Sequence, residues 1–286
     1  LDFENVPQIA MRTIEPLVPV YPSSRVLKMA QDRYEEKTFL NAIGIETAEF
    51  APISTIDHLA DSLAFFDGSA ILKTRRMGYD GKGQLRVNGL EEAGKALATF
   101  KGKGLIVEKV VPFETELSVI VARGRDGEIR AYDPVENTHE DGILRRSMVP
   151  ATVSAEVAAD AVEIAGKIIG RSGHVGVMGV EFFVTADDRL LVNEVAPRVH
   201  NSGHWTMEAC MVDQFEQHLR AVCGWPLGDT TRFCNAVMDN LLGDEVAEWK
   251  RWASQPKTAV HVYGKREALA GRKMGHVTRV SSHDSP

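Results

Sequence analysis

A glycine-rich loop with basic neighbours lies in the stretch AILKTRRMGYDGKGQLRV, residues 70–87. Lys73 ends a short apolar run, and Gly78, Gly81 and Gly83 follow it among basic side chains. Glycine lets backbone N–H groups approach a phosphate closely, and nearby cations neutralise the charge of the phosphate. The loop is therefore a candidate phosphate site, and a hairpin turn with solvated charges is the alternative.

Two common phosphate-binding motifs do not fit this part of the chain. The glycines follow the order G-x-x-G-x-G, whereas the dinucleotide motif is G-x-G-x-x-G. A near-match to the P-loop occurs at Gly89, Gly94 and Lys95, but Ala96 stands where the motif needs a magnesium-binding hydroxyl. Gly94 also falls inside a predicted helix, so we interpret this near-match as chance.

Two glutamates are predicted to face each other across a β-hairpin. If the stretch GVMGVEFFVTADDRLLVNEVAP turns symmetrically about Asp187 and Asp188, Glu181 lies opposite Glu194. Directly opposed like charges destabilise a sheet, and a magnesium ion held by both carboxylates would remove that conflict. Asn193 adds a neighbouring oxygen ligand. The alternative is a solvated glutamate, or a register that differs by one residue.

The elements around these residues alternate between helices and short strands. We predict helices over 23–44, from residue 90, over 154–170 and over 208–224, and strands over 70–73, 104–111 and 116–124 as well as the hairpin. Ser23, Ser24 and Ser154 are candidate helix caps, and Gly44 and Gly170 are candidate helix ends. Because several strands are joined as hairpins, the pattern predicts an α+β fold with mixed or antiparallel sheets.

Composition narrows the class of protein. The 286 residues carry a formal net charge of −7, which argues against a nucleic-acid binder. The sequence contains no apolar run of about 18 residues that would indicate a membrane span, and its first ten residues lack the pattern of a signal peptide. The three cysteines are odd in number and form no CxxC pair, which indicates reduced thiols and a cytoplasmic location.

The order of these motifs resembles the ATP-grasp superfamily. Lys73, the loop GYDGKGQ, the strand end EKVV at 108–111, Glu116 and the carboxylate pair occur in that order. The runs QDRYEEK, NTHEDGIL, NEVAPRVHNSGHWT and GRKMGH resemble, more specifically, the N5-carboxyaminoimidazole ribonucleotide synthases of purine biosynthesis, over about residues 3 to 280.

This resemblance implies two α+β subdomains that grip ATP and a small C-terminal β-rich domain. The implied boundaries are 1–22 for the end of an N-terminal substrate domain, 23–110 for the small subdomain with the lid, 111–225 for the large subdomain with the metal site, and 226–286 for the C-terminal domain. The N-terminal Gly-rich turn usual in the family does not occur here, so we expect some 70 or so residues of that domain, and part of the C-terminal tail, to be absent from this chain.

The resemblance also assigns the nucleotide site. Residues 78–84 would close over the phosphates as a lid, 108–111 would contact adenine, Glu116 would accept hydrogen bonds from ribose, and Glu181 and Glu194 would hold Mg²⁺. The implied ATP-binding residues are Arg33, Lys73, Gly78, Tyr79, Asp80, Gly81, Lys82, Gly83, Gln84, Glu108, Lys109, Val110, Val111, Glu116, His139, Asn193 and Glu194.

The implied reaction joins bicarbonate to aminoimidazole ribonucleotide through carboxyphosphate, with release of ADP and phosphate. The implied catalytic residues are Arg198, which suits a planar oxyanion, Lys73, and His200, which would orient bicarbonate, deprotonate it, or later help to activate the amine. The implied substrate-binding residues are Glu4, Arg198, His200, Asn201, Lys265, Arg272 and Lys273. Two alternatives remain, another ATP-grasp carboxylate–amine ligase and an inactive nucleotide-binding fragment. The family resemblance also implies a homodimer.

Overall fold

The structure is a computed structural model, and it describes residues 3–78 and 81–283. Its helices are α1 (Gln8–Ile14), α2 (Ser24–Ala30), α3 (Arg33–Ala42), α4 (Ile56–Phe65), α5 (Leu90–Thr99), α6 (Ala155–Ser172), α7 (Thr206–Ala209), α8 (Gln214–Cys223) and α9 (Trp249–Ala253). Its strands are β1 (Phe50–Ile53), β2 (Ser69–Thr74), β3 (Gln84–Asn88), β4 (Leu105–Lys109), β5 (Phe113–Arg123), β6 (Ile129–Ala131), β7 (Val135–Glu140), β8 (Ile143–Val149), β9 (Gly176–Thr185), β10 (Leu190–Ala196), β11 (Asn235–Leu242), β12 (Thr258–Val262) and β13 (Lys273–Ser281).

A small antiparallel sheet has the strand order β1-β4-β2-β3, and α4 and α5 cover one of its faces. Side chains alternate between the two faces of a strand. Leu72 and Val107 therefore pack into the core with the helices, while Lys73 and Glu108 project from the opposite face. This alternation brings a lysine and a glutamate from neighbouring strands to the same face of the sheet.

A larger antiparallel sheet has the order β10-β9-β5-β7-β8-β11-β13-β12, and β6 pairs with β5. Helix α6 packs on one face through residues such as Ile168, against Val119 and Val180, and a second core around Trp205 and Met238 fills the other face. The pairing of β8 with β11 makes the C-terminal strands part of this sheet. The α+β fold with antiparallel sheets is confirmed, and the four domain boundaries stay a prediction.

The single helix predicted over 23–44 is wrong, because the chain breaks between α2 and α3. Asp32 is extended there, and its carboxylate accepts a hydrogen bond from the backbone N–H of Tyr34. The same carboxylate forms two hydrogen bonds of 2.8 Å with the guanidinium of Arg75. A new helix therefore starts at Arg33, close to the loop that follows Lys73.

Two other predicted helices also differ from the structure. The helix predicted over 208–224 is divided into α7 and α8, because Asp213 caps the second helix by accepting hydrogen bonds from Phe215 and Glu216. Ser154 caps α6 as predicted, but the helix passes Gly170 and ends at Ser172, where Gly173 adopts a left-handed conformation. Gly94 lies inside α5, which agrees with the exclusion of the P-loop. Among the residues that the structure describes, none of the helices is long and apolar enough to cross a membrane.

Candidate active site

Two lysines share one glutamate between the sheets. The Nζ atom of Lys73 lies 2.7 Å from Oε2 of Glu108, and that of Lys37 lies 3.5 Å from the same oxygen. All three side chains are less than a tenth exposed. Burial would raise the pKa of Glu108, but the two lysines outweigh it and lower this pKa to about 2. We call this group the lysine triad. It has one positive charge in excess, which favours an anionic ligand.

The lysine triad was only partly predicted. The family resemblance assigns Lys73 to the ATP phosphates, but it assigns Glu108 only to the segment 108–111 that would contact adenine. Lys37 is not among the predicted site residues. Lys37 also donates a 3.1 Å hydrogen bond to the backbone carbonyl of Asn193, at the carboxylate hairpin. Its position in QDRYEEK, one turn after Arg33, is the signal that could have identified it.

Glu181 and Glu194 are cross-strand neighbours, as predicted, but by a different route. Near the turn Leu190 lies opposite Val184, which is one residue away from the register of a turn centred between Asp187 and Asp188. A bulge between Val192 and Glu194 shifts the pairing back and places Glu194 opposite Glu181. A bulge re-aims side chains and is common beside active sites.

The two glutamates have different partners, and their pKa values are shifted in opposite directions. Glu194 accepts a 2.7 Å hydrogen bond from Arg33, and Glu181 lies 3.3 Å from Nε2 of His200. Burial, and then Glu194, raise the pKa of Glu181 to about 7. For Glu194 burial acts in the same direction, but Arg33 and Lys73 outweigh it and lower the pKa to about 2. The charge of Glu194 thus disfavours a charge on the adjacent Glu181, and a divalent cation held by both carboxylates would relieve that repulsion.

A further buried carboxylate, Glu36, lies behind this pair and was not predicted. Its Oε1 accepts a 2.6 Å hydrogen bond from the backbone N–H of Val195, and only 2% of the residue is exposed. Burial, and then the charge of Glu194, raise the pKa of Glu36 to about 8 even though Lys37 opposes the shift. Glu36 is therefore largely neutral at pH 7.

Replacing Glu36 with Gln should stabilise the protein increasingly as the pH rises. The folded-state pKa of about 8 lies above the usual value of 4.5. The stability that the proton provides is therefore complete below about pH 4.5 and is lost as the pH rises through 8. Because a tenfold change in proton affinity is worth about 1.4 kcal/mol, the gain at pH 8 should exceed about 1 kcal/mol. Urea unfolding from pH 5 to 8 measures it, with the exposed Glu35→Gln as control. Parallel curves for Glu36→Gln and wild type would contradict the prediction.

The Gly-rich loop reaches from the small sheet to the large one. The backbone N–H of Thr74 donates a 2.8 Å hydrogen bond to the carbonyl of Gly83, and Gln84 pairs with Lys73 across β2 and β3. A Cβ atom added to Gly81 would lie 2.9 Å from the carbonyl oxygen of Asp141, in the turn between β7 and β8. Tyr79 and Asp80 lie outside the described residues. The loop thus connects the two sheets beside the lysine triad.

The residues predicted to contact adenine and ribose lie where the two sheets join. Lys109 ends β4 and pairs with Glu49 at 3.3 Å, and Val110 and Val111 lead from it into β5. The carboxylate of Glu116 contacts Nδ1 of His139 across β5 and β7. Burial lowers the pKa of His139, but the Glu116 contact outweighs it and raises that pKa.

Arg198 is paired with Glu4 rather than with either hairpin glutamate. Its Nε and Nη2 atoms contact the two oxygens of the Glu4 carboxylate, the second at 3.1 Å. A small cavity of about 70 Å³ adjoins this pair. The predicted site residues that line it are Glu4, Arg33, Gly78, Glu194, Arg198 and His200. The planar carboxylate of Glu4 occupies the guanidinium fork in the way that a planar bicarbonate would.

The remaining predicted substrate residues come together only in part. The side chain of Asn201 forms hydrogen bonds of 2.6 and 2.9 Å with Asn240. Lys265 donates to the backbone carbonyl of Lys273, and Arg272 donates to the carbonyl of Glu267. The positive charge of Lys273 helps to lower the pKa of His200 and opposes the rise in the pKa of Glu181, so this lysine lies near the carboxylate pair. Arg272 contacts its own loop.

A stack of aromatic side chains beside Lys273 was not predicted. His276 stacks on His204 and on His261, at centroid distances of 4.8 and 4.6 Å, and Tyr263 contacts its Nδ1. His261 also contacts Glu208 at 2.7 Å. Because the planes of His261 and His276 differ by only 17°, the lone pairs of their nitrogens do not converge on one ion. We interpret the group as packing.

The chain is similar to known proteins over most of its length. A family model described as ATP-grasp domain matches residues 38–215, and one described as Phosphoribosylaminoimidazole carboxylase C-terminal domain matches 236–285. The N5-carboxyaminoimidazole ribonucleotide synthase of Brucella melitensis is 48% identical over 281 residues, which are 98% of this chain and 78% of that protein.

Solved structures of the same family superimpose closely on this fold. The carboxyaminoimidazole ribonucleotide synthase from Aspergillus clavatus complexed with ATP has a TM-score of 0.93 at 34% identity, covering 98% of this chain and 75% of that chain. A structure of N5-carboxyaminoimidazole synthase from Aspergillus clavatus with ADP and 5-aminoimidazole ribonucleotide has a TM-score of 0.91 at 32% identity, covering 96% and 75%. By sequence and by fold, the chain belongs to the N5-carboxyaminoimidazole ribonucleotide synthase family of the ATP-grasp superfamily.

Proposed function

We propose that the chain carboxylates 5-aminoimidazole ribonucleotide with bicarbonate, using ATP, to give N5-carboxyaminoimidazole ribonucleotide, ADP and phosphate. Membership of this family makes the chain an ATP-dependent ligase of purine biosynthesis. The observation that carries the finer assignment is the small cavity beside Arg198, where an anion-binding guanidinium, Glu194 of the carboxylate pair and Gly78 at the start of the Gly-rich loop converge. Bicarbonate has the size and planar shape for that position.

The residues of the cleft have separate tasks in this proposal. Lys73 and Arg33 bind the ATP phosphates, and the loop 78–84 covers them and excludes water from the reactive carboxyphosphate. Residues 108–111 contact adenine, Glu116 binds the ribose hydroxyls, and His139 orients Glu116 by the contact described above. The phosphorylation needs no base, because the attacking oxygen of bicarbonate is already an anion.

The remaining predicted residues are assigned in this proposal to the binding of bicarbonate and the ribonucleotide. Arg198 would exchange Glu4 for bicarbonate, and Glu4 would then be free to contact the ribonucleotide. Lys273, with Lys265 beside it, supplies positive charge for the ribonucleotide phosphate. Asn201 and Arg272 bond to Asn240 and to the carbonyl of Glu267, so in this proposal they support the neighbouring substrate residues.

Magnesium, compartment and assembly complete the proposal. Glu181 and Glu194, with Asn193 beside them, would hold Mg²⁺, which when bound offsets negative charge on the transferred phosphoryl group. The cysteines at 210, 223 and 234 are unpaired, which supports a cytoplasmic location. The exposed apolar side chains of Met211, Leu219 and Trp225 support a homodimer.

The test of the function is ADP release that requires both bicarbonate and aminoimidazole ribonucleotide. A carboxylate–amine ligase of another specificity would release ADP with other amines or acids, and a nucleotide-binding fragment would bind ATP without turnover. Detection of the acid-labile N5-carbamate in the same reaction identifies the product. ADP release that is independent of aminoimidazole ribonucleotide would contradict the proposal.

Replacing Gly81 with Ala should lower turnover by about tenfold or more, because small displacements of covering groups are costly to catalysis. The new Cβ would meet the carbonyl oxygen of Asp141 at 2.9 Å, and it would hold the loop away from the large sheet. Gly89→Ala is a matched control, since Gly89 has a similar positive φ but open space around its Cβ position. Equal turnover of the two variants would show that the contact between the loop and the turn is unimportant.

A further inference from the structure

A chain of buried hydroxyl and amide groups leads from the large sheet to His200. Ser147 donates to Oδ1 of Asn137 at 2.7 Å, and Nδ2 of Asn137 donates to Ser118 at 2.9 Å. Ser118 then donates to Ser202 at 2.7 Å, and the Ser202 hydroxyl lies 2.8 Å from Nδ1 of His200. The three serines are fully buried and Asn137 is 6% exposed. We call these four residues and His200 the polar relay.

The donors at the start of the polar relay fix its direction. The Nδ2 group of Asn137 can only donate, so the Ser118 oxygen accepts from it. The Ser118 hydroxyl then donates its own hydrogen bond to Ser202. Ser202 must then donate to Nδ1 of His200. With the Asn137 amide in the orientation of the structure, every group of this buried chain is satisfied only if the hydrogen bonds run towards His200.

A second contact supports the same direction independently. The backbone N–H of Ser202 points at Nδ1 of His200 from 3.4 Å, and a backbone N–H cannot accept. The opposite ring nitrogen, Nε2, faces the carboxylate of Glu181, which is an acceptor when ionised. A neutral imidazole whose Nδ1 accepts carries its proton on Nε2.

We propose that Ser118, Asn137 and Ser202 are positioning residues that hold His200 as the Nε2–H tautomer. The ring nitrogen of His200 that faces the carboxylate pair then carries a proton and has no free lone pair, so the neutral imidazole can orient substrate oxygens as a donor but cannot act as the base for bicarbonate. The catalytic part of this inference rests on the proposed function, whereas the tautomer does not. The family resemblance allows His200 to orient bicarbonate, to deprotonate it, or to help activate the amine later; of the two roles towards bicarbonate, the polar relay favours orientation.

The tautomer can be measured on the protein without substrates. With ¹⁵N-histidine, long-range ¹H–¹⁵N spectra distinguish Nε2–H from Nδ1–H, and His200→Gln identifies the signal among the nine histidines. We expect Nε2–H in the wild type. Asn137→Asp replaces the donor with an acceptor and reverses the chain, so His200 should then carry a proton on Nδ1. An Nδ1–H tautomer in the wild type would overturn the proposal, whatever reaction the protein catalyses.

Kinetics test the catalytic part. Asn137→Asp should lower kcat by about tenfold or more, as the loss of an oxyanion donor does, with little change in KM for ATP. Ser118→Ala, which adds no charge, interrupts the polar relay more gently, and it should lower kcat by about threefold or more if Asn137→Asp does not fold. The exposed Ser254→Ala, whose hydroxyl bonds its own helix, is the control. A folded Ser118→Ala with unchanged kcat and unchanged tautomer would overturn the role of the polar relay.

Discussion

Replacing Glu194 with Gln is expected to lower ATP turnover by about 100-fold or more, because the proposed site loses a charged ligand for the metal that offsets phosphoryl charge. The same change should also lower the free energy of unfolding. Glu194 is the hydrogen-bond partner of Arg33, whose side chain is only 17% exposed. Since 40% of the Glu194 side chain is exposed, we expect a loss of about 1 kcal/mol rather than the larger cost of a fully buried pair.

Glu181→Gln is the matched comparison. Its carboxylate faces Glu194 across the strands and has a raised pKa, so removing its charge should leave the protein without metal as stable as wild type, or slightly more stable. Turnover should fall as it does for Glu194→Gln. Both variants should also lose the thermal stabilisation that magnesium gives with a non-hydrolysable ATP analogue.

Thermal unfolding with and without metal and assays of ADP release decide between the two roles. If both variants melted well below wild type and kept magnesium-dependent turnover, the carboxylates would be structural and the proposed metal site would be wrong. A stability loss confined to Glu194→Gln, with turnover lost in both, is the expected pattern.

Replacing Lys73 with Met is expected to weaken ATP binding by about 10- to 100-fold, since a hydrogen bond to a charged group is worth about 1.5–3 kcal/mol. The lysine triad would lose its excess positive charge, while Lys37 would remain 3.5 Å from Glu108 and keep that buried carboxylate paired. Methionine is similar in length and apolar, so we expect the variant to stay folded.

Lys95→Met is the control for Lys73→Met. Lys95 belongs to the same subdomain, but its side chain is 74% exposed and pairs with Glu91 within α5. Calorimetric titration with a non-hydrolysable ATP analogue measures the affinity of each variant. If Lys73→Met were folded and bound the analogue as tightly as wild type, the lysine triad would not be the phosphate site.

The parts of the site that the sequence could predict depend on short-range periodicity. Lys73 follows from its place at the end of an apolar run before the Gly-rich loop, and the hairpin glutamates follow from the position of the turn, which are local properties. The roles of these residues towards ATP and Mg²⁺ follow from the order of motifs that the family shares. Even there, the register near Asp188 was wrong by one residue, and the bulge before Glu194 compensated for it. A bulge depends on what the strand packs against, so it could not be predicted from the neighbouring residues in the sequence.

The parts that could not be predicted depend on partners distant in the chain. The helix break at Asp32 is stabilised by Arg75, which is 43 residues away in the sequence. The helical pattern over 23–44 therefore could not indicate this partner. The role of Glu108 likewise depends on Lys37, 71 positions earlier in the sequence. The repulsion predicted for the hairpin pair raises the pKa of Glu181. Glu194 is instead stabilised as a carboxylate by its ion pair with Arg33, which the sequence did not indicate.

The pairing of β8 with β11 has a consequence for how this chain can be divided. The two family models leave a gap between residues 215 and 236, yet Arg146 and Val149 on β8 are hydrogen-bonded neighbours of β11. A chain that stopped in that gap would leave the backbone groups of β8 unpaired along an exposed edge. Such edges recruit strands from other molecules. The last fifty residues therefore protect the large sheet against aggregation, and they cannot be removed as a separate module.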